Sequence, residues 1–117
     1  VFSPADTISW YGGLEAGTAA KTDEYARLFL VPGMNHCSGG PTTDQFDMLD
    51  SLVNWVEKVK APEQVIAKAR GVGANVVNTE VPASWSPTRT RPLCPYPKVA
   101  KYNGTGDIES ASSFSCK

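Results

Sequence analysis

The chain has 117 residues, with 11 Lys and Arg against 12 Asp and Glu, a formal net charge of −1, and 41% apolar residues. That is a globular composition rather than a disordered one. The longest apolar run, Leu28-Phe29-Leu30-Val31, is far too short to cross a bilayer, and no basic stripe is present to attract nucleic acid or an anionic membrane.

Ser3, Pro4 and Asp6 together predict a helix start: an N-cap, a proline at the first helical position and a negative charge in the first turn. Ile8, Tyr11 and Leu14 recur at helical spacing, and Gly17 is the expected stop. Residues 25–31 are short, apolar and closed by Pro32-Gly33, which predicts a buried strand. A polar loop follows, from Asn35 to Pro41. Thr42 and Gln45 then have capping-box spacing, and Phe46, Leu49, Val53 and Val56 recur on one helical face. Met48, Leu52 and Trp55 widen that stripe, so this helix is expected to pack on two sides and to end near Lys60, ahead of Pro62. Residues 65–69 predict another strand, with Lys68 and Arg70 facing out.

From Gly71 onward, Pro82, Pro87, Pro92, Pro95 and Pro97 break any long regular element. Residues 99–102 form one expected short strand before an Asn103-Gly104 turn. Asn103-Gly104-Thr105 also matches a glycosylation sequon, which only a eukaryotic secretory host would use. The first seventy residues therefore read as helix, strand, helix, strand, and the rest as an irregular strap. This is α/β alternation with too few strands to close a sheet.

Three cysteines leave one thiol unpaired within the chain. Cys94 and Cys116 bracket a Pro- and Gly-rich stretch and read as partners; closing a loop of that size contributes about 3 kcal/mol by restricting the unfolded chain. Such a tail favours an oxidising compartment, so a secreted or periplasmic location is expected. His36 is the only histidine and follows the predicted strand, where open α/β sheets place catalytic groups, although an ordinary loop histidine fits the position too. His36 and Cys37 cannot make a metal site by themselves, since adjacent residues rarely ligate one ion, so no metal is expected. As a nucleophile–base pair they are equally awkward, because chain neighbours point their side chains apart. Asp6, Asp44 and Asp47 are candidate triad acids, but each also has a structural reading at or near a helix N-terminus. Ser38 lacks a Gly-x-Ser-x-Gly elbow, and Gly71-x-Gly73 lacks the third glycine of a phosphate loop. The residues alone offer a candidate base and no nucleophile.

The run Leu30-Val31-Pro32-Gly33-Met34-Asn35-His36-Cys37-Ser38-Gly39-Gly40 closely resembles the histidine loop of the tannase and feruloyl esterase family, which are α/β-hydrolases. The stretch Leu52-Val53-Asn54-Trp55-Val56-Glu57 with Ala61-Pro62 is similar to that family as well. So is the tail, from Arg89-Thr90-Arg91-Pro92-Leu93-Cys94-Pro95-Tyr96-Pro97 through Tyr102, Gly104, Gly106-Asp107 and Phe114 to Cys116. The resemblance covers essentially the whole chain. It implies the C-terminal portion of an α/β-hydrolase fold with an irregular disulfide-bonded tail. Residues 1–70 would be core units carrying the histidine loop, and 71–117 a Pro-rich strap of the same domain.

By that resemblance His36 is the general base of a Ser-His-Asp triad. Cys37 is half of an active-site disulfide whose other cysteine, immediately before the nucleophilic serine, lies outside this chain. Cys94 and Cys116 match the family's C-terminal disulfide. The serine elbow, the lid and the aspartate are absent, the last expected just ahead of the segment Val1-Phe2-Ser3-Pro4. The expected partner is therefore the remainder of the hydrolase domain, the substrate a small aromatic ester, and no cofactor is implied. The isolated chain is expected to be inactive. The competing expectation is a non-catalytic, disulfide-stapled structural or binding module, which differs in leaving Cys37 free or paired between molecules. A metal-binding domain is a third, requiring stoichiometric metal.

Overall fold

Ser3 begins the first helix by two routes at once: its Oγ accepts from the amide of Ala5 at 3.2 Å, and its carbonyl accepts from the amide of Asp6 at 3.0 Å. In the computed structural model, which describes residues 3–17 and 19–117, helix α1 spans Pro4–Gly17. It is anchored chiefly through Tyr11, which is buried, donates its hydroxyl to the carbonyl of Ala26 at 3.1 Å and meets Tyr96 edge-on. Val1, Phe2 and Thr18 lie outside the described residues. A short 3-10 turn, Thr22–Glu24, leads on to the apolar stretch 25–31.

That stretch is not the buried strand its composition predicts. It makes one isolated bridge, Phe29 with Pro95, and Leu30 and Tyr25 are exposed. Among the described residues no strand runs along it, so its backbone has no ladder to join. Phe29 and Val31 nevertheless pack on the core formed by Val65, Ala67 and Leu93, together with Phe46 and Met48.

Helix α2 spans Met48–Lys58. The expected cap at Thr42 is displaced by Asp47, whose Oδ1 accepts from the amide of Asp50 at 2.8 Å. Thr42 is instead buried, donating its hydroxyl to the carbonyl of Pro32. The helix ends in a left-handed Val59, whose amide bonds to the carbonyl of Asn54. Two-sided packing is not observed: Leu49 is 71% and Val56 74% exposed, and no residue of the helix is buried. Trp55, lying beneath the guanidinium of Arg27, gives the helix one of its few lateral contacts.

Strand β1, Val65–Lys68, alternates buried and exposed residues and pairs antiparallel with β2, Thr90–Leu93. Strand β3, Ala100–Tyr102, pairs antiparallel with β4, Phe114–Cys116. The sheets are two-stranded, which is why Pro92 is tolerated inside β2: a strand with a free edge can forgo one amide donor. Among the described residues, three of the four strands, β2, β3 and β4, lie beyond Gly71, where only the short strand at 99–102 is expected. Arg70, whose position predicts an outward side chain, instead turns inward as the strand ends, its side chain only 13% exposed, to meet a buried carboxylate.

The disulfide Cys94–Cys116 bonds the residue just past β2 to the last residue of β4 and so ties the two sheets together. A second cross-link is polar. Arg89 pairs with Glu109 and lies over the ring of Trp85, while the amide of Thr90 donates to the carbonyl of Glu109. The guanidinium beside Glu109 holds that carboxyl below its ordinary range.

Candidate active site

The loop from Gly33 to Asp44 presents His36 and Cys37 at its tip, both exposed. It has no strand or helix of its own, and its shape comes from glycines and hydrogen bonds. Gly33 and Gly40 lie back to back with φ of 76° and 83°. A Cβ on Gly40 would lie 2.1 Å from the carbonyl oxygen of Gly33, so only glycine fits that contact. The amide of Asn35 donates to the carbonyl of Gly39 at 3.0 Å, closing a tight ring around His36, Cys37 and Ser38. Within it the amide of Ser38 donates to the carbonyl of His36 at 2.9 Å.

Three side chains hold this ring from outside. Asp44 accepts from the amide of Gly39 at 2.8 Å and from Nε and Nη2 of Arg70 at 2.9 and 2.5 Å. The carboxylate of Asp44 is fully buried, and the hydrogen-bonded Arg70 guanidinium keeps its pKa lowered although burial works the other way. Arg70 reaches on to the carbonyl of Val76. Asn78, buried, donates to the carbonyl of Gly40 at 2.8 Å, and Glu80 accepts from the amide of Gly40 at 2.7 Å.

The expected site residues therefore separate. Asp47 is the N-cap of α2, and Asp6 sits in the first turn of α1. Asp44 is not at a helix N-terminus as its position suggests; it is the internal brace of the histidine loop. Among the described residues no carboxylate bonds His36; its Nδ1 contacts only the Sγ of Cys37, at 3.2 Å. Cys37 has φ of 69° and is a free thiol here, whereas Cys94 and Cys116 are bonded to each other. Among the described residues no group of three or more His, Cys, Asp or Glu is arranged to hold a metal ion. A cavity of about 800 Å³ opens between Tyr11, Thr22, Arg27, Tyr96 and Lys98, and none of its lining residues belongs to the histidine loop.

Arg70, Asn78 and Glu80 carry no local mark of this role in the sequence. They lie 26 to 45 residues from the loop groups they bond, and no local pattern marks such contacts. One signal was available: Glu80 and Asn78 are polar residues in a stretch with no regular element to occupy them.

The family model for tannase and feruloyl esterase matches residues 1–117. The chain belongs to this family. It is 50% identical over 115 residues to a mono(2-hydroxyethyl) terephthalate hydrolase of Piscinibacter sakaiensis, a match covering 98% of this chain and 17% of that protein. It is 43% identical over 118 residues to a probable feruloyl esterase of Arthroderma benhamiae, covering 97% of this chain and 20% of that one. The chain thus spans a fifth or less of the length of these curated relatives. Among solved structures, feruloyl esterase B from Aspergillus oryzae superposes with a TM-score of 0.70 at 25% identity, over 98% of this chain and 24% of that chain. A second esterase from the same organism gives a TM-score of 0.74, also at 25% identity and with the same coverage.

Proposed function

We propose that this chain supplies the general base of a serine carboxylic-ester hydrolase with an α/β-hydrolase core, acting on small esters of aromatic acids. The observation that carries the reading is His36. It stands exposed at the tip of a loop braced from three sides, in a chain that the family model matches from end to end. The relatives' names, a feruloyl esterase and a terephthalate mono-ester hydrolase, supply the substrate class. Galloyl, hydroxycinnamoyl and terephthaloyl mono-esters share that chemistry: an ester carbonyl conjugated to an aromatic ring, directly or through a vinyl group.

In this reading His36 takes the proton of a serine hydroxyl as it attacks the ester carbonyl, then returns it to the departing alcohol. The serine and the aspartate belong to segments outside this chain. The Nδ1 that a triad carboxylate would hold is faced here by the Cys37 thiol. A disulfide between Cys37 and a cysteine next to the serine, formed by two-electron oxidation of the two thiols in an oxidising compartment, would take that thiol off Nδ1 and join the nucleophile and base loops. A disulfide there and at Cys94–Cys116 would fit a secreted or periplasmic protein. No helix among the described residues is long and apolar enough to cross a membrane.

The test compares two proteins. The isolated 117 residues are expected not to turn over methyl ferulate or mono(2-hydroxyethyl) terephthalate. A polypeptide that also carries the serine and aspartate segments is expected to do so, with His36→Ala lowering kcat by about 10⁴-fold or more. Turnover by the isolated chain that His36→Ala abolishes would overturn the division of the triad between segments. Mass spectrometry without reductant decides the cysteine assignment, since the non-catalytic module requires Cys37 to be free or joined between molecules.

A further inference from the structure

The segment 71–88 contains no helix or strand, yet two of its side chains bond to the histidine loop on both sides of His36. On the far side, Glu80 accepts from the amide of Gly40 at 2.7 Å while Asn78 donates to the carbonyl of Gly40 at 2.8 Å. Both backbone polar groups of Gly40 are thereby occupied. On the near side, Asn35, the chain neighbour of His36, donates its Nδ2 to the two Glu80 oxygens at 3.3 and 3.2 Å. Glu80 is itself held in place, since its amide donates to Oδ1 of Asn78, and the amide of Asn78 donates to the carbonyl of Arg70.

We propose that Glu80 is a positioning residue for His36, its single carboxylate gripping Asn35 and Gly40 and so fixing the span of the loop between them. The inference rests on reading His36 as the general base. Three features carry it. Hydrogen bonds to an ionised carboxylate are the stronger kind, and one carboxylate here serves donors on either side of the histidine. Glu80 is exposed, where such groups add little to global stability, so the effect of this grip is local. Nor does Glu80 duplicate Asp44, which is buried, pairs with Arg70 and braces Gly39 alone within the ring. Where a base must meet a hydroxyl in hydrogen-bond range, a misplacement of about 1 Å costs on the order of a hundredfold in rate.

The experiment uses the protein that carries this chain together with the serine and aspartate segments, with methyl ferulate as substrate. Glu80→Ala is expected to lower kcat by about tenfold to a hundredfold with KM nearly unchanged. Its thermal midpoint should stay close to that of the unmodified protein. Glu80→Gln keeps an oxygen for the Gly40 amide but gives up the charge and the second acceptor, and is expected to recover part of the rate. Amide hydrogen exchange supplies a readout independent of activity: Gly40 should exchange faster in Glu80→Ala and not in Glu80→Gln. If His36→Ala abolishes turnover while Glu80→Ala keeps kcat within about twofold, against the hundredfold scale of a misplaced base, the positioning role is wrong. A kcat loss with unchanged exchange at residues 35–40 would equally overturn it. If His36→Ala retains full activity, the base assignment fails instead, and the exchange comparison still shows whether Glu80 holds the loop.

Discussion

Helix α2 and the histidine loop sit side by side in sequence and are built on opposite principles. The helix is regular, capped by Asp47 and closed by a left-handed Val59, yet it buries no residue. The loop has no regular structure, yet Asp44, Asn78 and Glu80 each bond its backbone, and its glycines touch at distances no side chain allows. Regularity and anchorage are therefore separate properties. A helix satisfies its own backbone and can stand on a surface. A loop that must hold a side chain in place has to borrow partners from elsewhere in the chain.

The sharpest way to break this contrast is at the buried ion pair. Arg70→Met leaves the Asp44 carboxylate buried without its guanidinium, and should cause the largest stability loss of any single change in the loop's support. The effect depends on pH. The Asp44 pKa is lowered in the folded state, so its contribution is complete above the unfolded value of about 3.9 and fades as pH falls through the folded value. Urea titrations at pH 7 and pH 3 should show a large difference between Arg70→Met and the unmodified chain at the first pH and a smaller one at the second. Equal differences at both would remove Asp44 from the loop's support.

Gly40→Ala comes next. A Cβ would meet the carbonyl of Gly33 at 2.1 Å, and the positive φ adds strain, for a combined loss of about 2–3 kcal/mol. Denaturant midpoints would measure it, and a loss below half that size would mean the back-to-back glycines are free to separate. The smallest effect is expected on the helix. In the isolated chain Leu49→Ser and Val56→Ser should each change stability by no more than about 0.5 kcal/mol, because both side chains already face solvent. In a polypeptide that also carries serine and aspartate segments, a much larger cost for the same changes would show that another segment covers the stripe.

What the sequence made legible follows the range of the interactions. The start of α1 was readable because Ser3, Pro4 and Asp6 act within one turn, and β1 because its alternation is local. The existence of α2 was clear from its apolar period, but not its first residue, because Thr42 spends its hydroxyl on Pro32, ten positions back. The stretch 25–31 has the composition of a strand and lacks the neighbour that would make it one. Strands β2 and β4 were hidden by Pro92 and by pairing partners distant in sequence. For the site, His36 and Cys37 stood out through a motif, whereas Arg70, Asn78 and Glu80 act only across the fold. A clamp made of long-range polar contacts has no signature in any short window.

The bond between Cys94 and Cys116 has one more consequence, for how the chain responds to damage. It joins cysteines 22 positions apart, across a stretch that includes the exposed turn at Gly104 and Gly106. A protease that cuts once inside this span opens the backbone without releasing a fragment. Both pieces stay covalently attached, and if the cut falls in the turn between β3 and β4, β4 also remains beside β3 through its ladder. Such a nick would be invisible in size until the sulfurs are reduced, so the tail can be severed and still keep its place.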